Sequence, residues 1–130
     1  MFIRSFVLIL FSAVLLAGDI LLRGSSVGSV ESSGDVRIRG SVVGRFESGG
    51  DIRVKGSLVG KIEPDGSIRK NGSLVGKVES DGSVRVSGSL RGKVESDGDV
   101  RQDGSIIGSA RGVPAAQAAC LFFFGFFDLK

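Results

Sequence analysis

Apolar and polar residues alternate over short stretches through the middle of the chain. Val84 and Val86 flank Arg85, and this period of two is typical of a strand with one buried and one exposed face. The surrounding segment 72–85, GSLVGKVESDGSVR, recurs every sixteen residues, and three sets of glycines keep that spacing. The first set is Gly24, Gly40, Gly56, Gly72, Gly88 and Gly104. A fixed period predicts an array of one small supersecondary unit.

Two junctions in each unit predict chain reversals. Asn71-Gly72 is a strong hairpin signal, because a type I′ turn needs two residues at positive φ. A two-residue turn there would pair Ile68 with Val75, and a bulge at Gly76 would restore the alternation. The segment Ser80-Asp81-Gly82 suits a three-residue loop that pairs Val78 with Val84. Each unit is therefore predicted to be a short β-hairpin.

Reversals at both ends of the unit favour a ring of hairpins over a parallel β-helix, which needs no hairpin turns. Closure of a ring also removes the exposed strand edges that promote aggregation. Six arms joined by five loops (SSG, SGG, PDG, SDG and SDG) predict an all-β, radial, pseudo-five-fold ring in which the first and last half-arms combine. An open array of six arms is the alternative.

The two ends of the chain differ from the repeats. Residues 1–17, MFIRSFVLILFSAVLLA, have the charged start and short apolar run of a signal peptide, with an expected cut near Ala17-Gly18. A retained N-terminal anchor is the alternative. Both interpretations place the repeat domain, residues 18–112, outside the cytoplasm, and we expect an exported protein of the periplasm, the cell envelope or the secreted fraction.

The C-terminal segment, residues 113–130, is apolar. Ala115 to Ala119 favours a helix, and a cluster of five phenylalanines follows. The cluster consists of Phe122, Phe123, Phe124, Phe126 and Phe127. The rings could fill the centre of the ring of hairpins or contact a membrane or partner. Burial of each ring stabilises by ~1.5–3 kcal/mol, which favours a packed tail.

Composition narrows the possible chemistry. The chain contains no histidine and only one cysteine, Cys120, so Ser-His and Cys-His catalysis, a disulfide within the chain and a typical zinc site are excluded. The formal net charge is +3, the charges are evenly spread, and Phe46 is the single aromatic residue in the repeats, which argues against nucleic-acid binding. We therefore expect a protein that is not an enzyme and has no cofactor.

One set of cations recurs at a fixed position in the repeat. The set is Arg37, Arg53, Arg69, Arg85 and Arg101. In a ring these arginines would form a circular band able to hold a phosphate, a sulfate or an acidic glycan. The alternative is a solvated outer face in which they alternate with glutamates such as Glu63 and Glu79.

The units GSLVGKIEPDGSIR, GSLVGKVESDGSVR and GSLRGKVESDGDVR, with the ending GSARGVPAAQAACLFFFGFF, resemble the small secreted bacterial five-fold β-flower proteins. That resemblance implies a compact radial all-β domain and bacterial export, and it brings no established activity. Leu21 and the SSG and SGG loops depart from the pattern. A weaker resemblance, through glycine and valine spacing, is to the bactofilins, which polymerise.

These observations lead us to expect an exported structural or binding module of the bacterial envelope. The alternatives are a self-assembling, bactofilin-like scaffold and a protein that associates with membranes through its Phe-rich tail. Envelope, glycan or membrane partners are all compatible with the sequence, as are a monomer and a homo-oligomer.

Overall fold

The computed structural model describes residues 18–130, and the expected signal segment lies outside the described residues. Twelve antiparallel strands form one closed barrel in which strands consecutive in the chain are neighbours. They are β1 Gly18–Leu22, β2 Ser25–Val30, β3 Asp35–Ile38, β4 Ser41–Phe46, β5 Asp51–Val54, β6 Ser57–Ile62, β7 Ser67–Lys70, β8 Ser73–Val78, β9 Ser83–Val86, β10 Ser89–Val94, β11 Asp99–Gln102 and β12 Ser105–Ala110. The predicted closed ring of hairpin repeats is confirmed.

The ring closes with six hairpins, which corrects the predicted pseudo-five-fold symmetry. The first arm does not share a hairpin with the last, because β1 forms a complete hairpin with β2 around its own two-residue turn. β1 then also pairs with β12, where Ile20 lies opposite Ala110. This seam needs no loop, so six hairpins require only five loops.

The two-residue turns have the predicted conformation. Asn71 and Gly72 have φ values of 50° and 85°, and the residues at the same position in the other five turns also have positive φ. Even Arg23 and Lys55 adopt positive φ values, of 51° and 52°, although residues other than glycine, asparagine and aspartate rarely do. Together the six turns form one end of the barrel, which we call the turn rim.

The five three-residue loops form the opposite end, the loop rim. In the loop after β8, the Gly82 N–H donates to the Glu79 carbonyl oxygen over 2.9 Å, and Gly82 has φ 91°. The Asp81 carboxylate accepts a hydrogen bond from the Ser83 N–H at 2.9 Å. The predicted pairing of Val78 with Val84 across this loop is confirmed.

The predicted register within the hairpins is wrong by one residue. Ile68 lies opposite Gly76 instead of Val75, and the irregularity falls between Ile68 and Arg69, opposite Val75. Gly76 consequently faces the barrel interior, where the Phe124 ring lies against it. A valine in that place would occupy the space that the ring needs.

The barrel wall is lined by aliphatic side chains in its loop-rim half. Each first strand of a hairpin contributes one side chain with no exposed surface. These are Ile20, Val36, Ile52, Ile68, Val84 and Val100. Their cross-strand partners in the neighbouring hairpins are Ala110, Val30, Phe46, Ile62, Val78 and Val94.

The C-terminal segment passes through the barrel. Helix α1, Ala115–Phe122, begins beside the loop rim, where Pro114 and Gln117 line a recess with the loops. Phe122 and Leu129 line a second recess at the turn rim together with Arg23. The helix extends three residues beyond the predicted Ala115–Ala119. Within residues 18–130, no helix is long and apolar enough to cross a membrane.

Replacing Gly76 by alanine tests whether the glycines of the second strands are required by packing. An added Cβ would collide with the Arg85 carbonyl oxygen and lie 2.5 Å from Cε1 of Phe124. We expect Gly76→Ala to lower the free energy of unfolding by ~1–3 kcal/mol, measured by urea denaturation. Gly49→Ala is the matched control, since nothing lies within 4 Å of its added Cβ. Equal stability of the two variants would contradict this packing.

Candidate functional site: the plug and the outer wall

The five phenylalanines of the tail each lie against the glycine of a different hairpin. A Cβ added at any of these glycines would lie 2.5–2.6 Å from the nearest ring atom. The pairs are Phe122 with Gly108, Phe123 with Gly92, Phe124 with Gly76, Phe126 with Gly60, and Phe127 with Gly44. The tail therefore visits the hairpins in reverse chain order, and we call residues 115–129 the plug.

Two features allow the plug to pass from one hairpin to the next around the inside of the barrel. Gly125, at φ 70°, bends the chain between Phe124 and Phe126. The remaining hairpin, which contains Gly28, receives no phenylalanine; its neighbour Arg39 instead donates a hydrogen bond to the Leu129 carbonyl oxygen at 3.1 Å. Among the six glycines at this position of the repeat, Gly28 is the one with no ring atom among its nearest neighbours.

Lys70 fixes the plug from the wall. Its ammonium group donates to the carbonyl oxygens of Phe124 and Gly125, at 3.1 and 3.3 Å. The same group lies 5.2 Å from the centroid of the Phe126 ring, a cation–π distance. The two neighbouring hairpins carry Val54 and Val86 at this position, so Lys70 is a departure from the repeat that serves the bend in the plug.

The single cysteine lies inside the plug. Cys120 has no exposed surface, and burial raises the pKa of its thiol well above the ordinary value. A protonated, inaccessible thiol is a poor nucleophile and a poor metal ligand. Cys120 therefore acts as a small apolar side chain next to Ala118 and Ala119.

The candidate anion band lies on the outer wall, and each of its arginines is bonded to a glutamate. The Nε atoms of Arg69, Arg85 and Arg101 donate to Glu63, Glu79 and Glu95 over 2.8 Å. Arg53 donates to Glu47 at 2.9 Å, and Arg37 donates to Glu31. Exposed pairs of this kind contribute ~0.2–1 kcal/mol each. Every arginine of the band therefore has against it the carboxylate of the glutamate that immediately precedes the three-residue loop.

Leu21 stands where the other five hairpins carry an arginine of the band, and its place beside the β1–β12 seam explains the difference. Leu21 occupies the register position of these arginines, and it lies opposite Ser109 of β12. The β1–β12 junction is the one place in the described barrel wall that has no three-residue loop, and therefore no glutamate preceding one. An arginine there would lack the acidic partner that the others have.

Sequence reasoning missed a ring of apolar side chains on the outer wall near the turn rim. Leu74 and Leu90 are each 59% exposed, and Leu58 is 55% exposed. With Val42 and Ile106, both 50% exposed, they form what we call the apolar belt. The signal was present, because two successive apolar residues such as Leu74-Val75 cannot both face the interior.

In residues 18–130, no group of histidine, cysteine or acidic side chains could hold a metal ion. No family model matches the chain, and comparisons with curated proteins and with solved structures give no match either.

Removing one ring of the plug tests its contribution to stability. Phe124 is 7% exposed, and we expect Phe124→Ala to cost ~3–5 kcal/mol of unfolding free energy. Leu74→Ala, on the outer wall, is the control and should change stability far less. The thiol of Cys120 should react slowly with a thiol reagent in the native protein and faster in Phe124→Ala. Rapid labelling of the unmodified protein would contradict a packed plug.

The loop aspartates predict one part of the pH dependence of stability. The pKa of Asp81 is lowered below its ordinary 3.8, chiefly by the hydrogen bond from the Ser83 N–H and next by that from the Ser83 hydroxyl. Ser67 lowers the pKa of Asp65 in the same way. The folded state binds these protons less readily, so their stabilisation is present above pH 3.8 and is lost as the pH falls below it. Asp65→Ser with Asp81→Ser should flatten the decline in urea stability there, since Ser33 fills this position in the first loop. An unchanged slope would contradict the assignment.

Proposed function

We propose that the protein is an exported, non-enzymatic binding module of the bacterial envelope that presents a repeated surface on a rigid barrel. The observation that carries this proposal is the apolar belt. Its five large apolar side chains are at least half exposed at the same position of successive hairpins, and apolar surface repeated in this way is typical of an interaction site.

The repeat makes the surface multivalent. In each of five hairpins a belt residue lies directly opposite an arginine across the strand pair, as Leu74 lies opposite Arg69. One weak contact site is thereby presented in five copies at fixed spacing, and simultaneous engagement raises avidity without any new contact. The plug supports this interpretation, because it fills the barrel centre with the protein's own side chains and leaves the outer surface as the place for recognition.

Export rests on the sequence of residues 1–17, whose charged start and apolar run fit a signal peptide. A repeat module of this kind would act at an envelope surface as a spacer or binder.

A self-assembling scaffold is the second candidate, and the distribution of charge favours it. The loop rim is rich in carboxylates such as Glu63 and Asp65, and the turn rim carries Arg23 and Lys55. Barrels could therefore stack head to tail. Assembly through free strand edges is a weaker form of this idea, since β1 pairs with β12. Membrane association through the Phe cluster would require release of the plug.

Expression of the full chain in a bacterial host, followed by fractionation, tests the proposal. We expect the protein in the periplasmic or envelope fraction, and a variant lacking residues 2–17 in the cytoplasm. Among exported variants, Leu58→Ser with Leu74→Ser and Leu90→Ser should lose envelope retention, and Gly49→Ala should keep it. Cytoplasmic location of the full chain, or retention that ignores the belt, would overturn the proposal.

A further inference from the structure

We propose that the turn rim docks end-on against an anionic lipid bilayer, with the apolar belt entering the headgroup region. This inference rests on the proposed function and names the partner of the same surface. It uses the outer wall of the barrel and leaves the plug in place.

The first argument is the position of the belt. Val42 follows the turn glycine Gly40 by two residues, so the belt lies about 7 Å from the tips along the strands. Amphipathic elements that lie at a membrane surface bury their apolar face by ~5–10 Å. A bilayer that meets the turn rim would therefore reach the belt on every hairpin that carries it. A plane contacts a whole ring at once, whereas a compact protein partner would contact one side.

The second argument is the separation of charge along the barrel axis. Each three-residue loop is preceded by a glutamate, and three of the loops contain an aspartate. The glutamates are Glu31, Glu47, Glu63, Glu79 and Glu95, and each is paired with an arginine of the band. The negative charge in excess at the loop tips is that of Asp65, Asp81 and Asp97. An anionic surface would repel this end of the barrel.

The turn rim has the opposite character. Its cations are Arg23, Arg39, Lys55, Arg91 and Lys130, and they stand against Asp103 and Asp128. Attraction between these cations and anionic headgroups would hold the turn rim at the bilayer, and the belt lies next to the same rim. Charge and apolar surface thus select one end of the molecule and one orientation.

Head-to-tail stacking explains less of this surface. Every large apolar side chain that is at least half exposed in residues 18–130 belongs to the belt, and the loop rim offers no counterpart. Stacking would press leucines against glutamates and serines, or leave them in water. A bilayer accommodates both the cations and the belt.

Flotation with vesicles tests the proposal. Protein from the exported fraction is mixed with vesicles of equal parts phosphatidylglycerol and phosphatidylcholine, or of phosphatidylcholine alone, at low and high salt. We expect flotation with the anionic vesicles that weakens as salt rises. All variants share the same N-terminus, so any contribution of residues 1–17 is common to them.

Two variants separate the belt from the cations. The triple variant Leu58→Ser, Leu74→Ser and Leu90→Ser removes the three leucines of the belt and should weaken binding by more than about tenfold. Serine is chosen because the first hairpin has Ser26 at this position. The double variant Arg23→Asn and Lys55→Asn removes two cations of the turn rim and should weaken binding on the order of thirtyfold. Asparagine is chosen because Asn71 occupies the same turn position. The control, Lys61→Ser with Lys77→Ser, removes the same charge from the wall, where Ser29 and Ser109 are the natural precedents.

A site-specific probe tests the orientation. Because Cys120 is buried, a polarity-sensitive dye can be attached selectively at Leu74→Cys or, at the loop rim, at Asp81→Cys. Anionic vesicles should shift the emission of the dye at position 74 to the blue and leave that at position 81 unchanged. This result cannot come from an N-terminal anchor alone, since Gly18 lies at the loop-rim end of β1.

Three outcomes would overturn the proposal. These are a shift at position 81 without one at 74, equal loss of binding in the Lys61/Lys77 control, and growth of oligomers in light scattering without lipid that the belt variant abolishes. In each case, an exported protein that still binds the envelope leaves the proposed function standing. Cytoplasmic retention refutes that function, and the vesicle result remains independent of it.

Discussion

The match between glycine in the wall and phenylalanine in the plug is the contact on which the rest of the structure depends. A barrel of twelve strands encloses more space than short aliphatic side chains can fill. In the loop-rim half, valine and isoleucine side chains of the wall fill this space around an alanine-rich helix. In the turn-rim half, the large side chains come from the plug instead of the wall. There the wall is reduced to glycine and the centre supplies the bulk, which keeps the packing dense along the whole axis.

This complementarity also explains why features of the barrel occur in fives although the hairpins number six. The seam between β1 and β12 replaces the sixth loop, so five glutamates, one before each loop, pair with five arginines. At the hairpin that contains Gly28, the plug ends instead of adding a sixth ring. The first hairpin likewise carries Ser26 where the others carry a belt residue. These three departures from the repeat all lie where the ring closes.

Much of the fold could be predicted from the sequence, because local chemistry determines it. The Asn71-Gly72 turn and the Ser80-Asp81-Gly82 loop specify reversals at both ends of every unit, and reversals lead to an antiparallel ring. The hairpin register could not be predicted, since either Val75 or Gly76 satisfies the alternation locally. What decides between them is Phe124, nearly fifty residues away in sequence. The number of hairpins depended in the same way on a contact between the two ends of the array. The arginines of the candidate band recur visibly in the sequence, with glutamates between them, but which glutamate pairs with which arginine, and the apolar belt beside them, emerge only once the strands are aligned.

The order of these parts along the chain has a consequence for synthesis. The plug follows all six hairpins, and the barrel closes through a contact between residues 20 and 110. A chain that emerges from its N-terminus can therefore form individual hairpins early, but it has neither a closed wall nor an aromatic centre until the last hairpin and the tail have been made. Such long-range contacts form late because the loop between them must close first. For the export that we propose, this delay is an advantage, because a chain that has not yet closed its barrel can cross a membrane in an extended state.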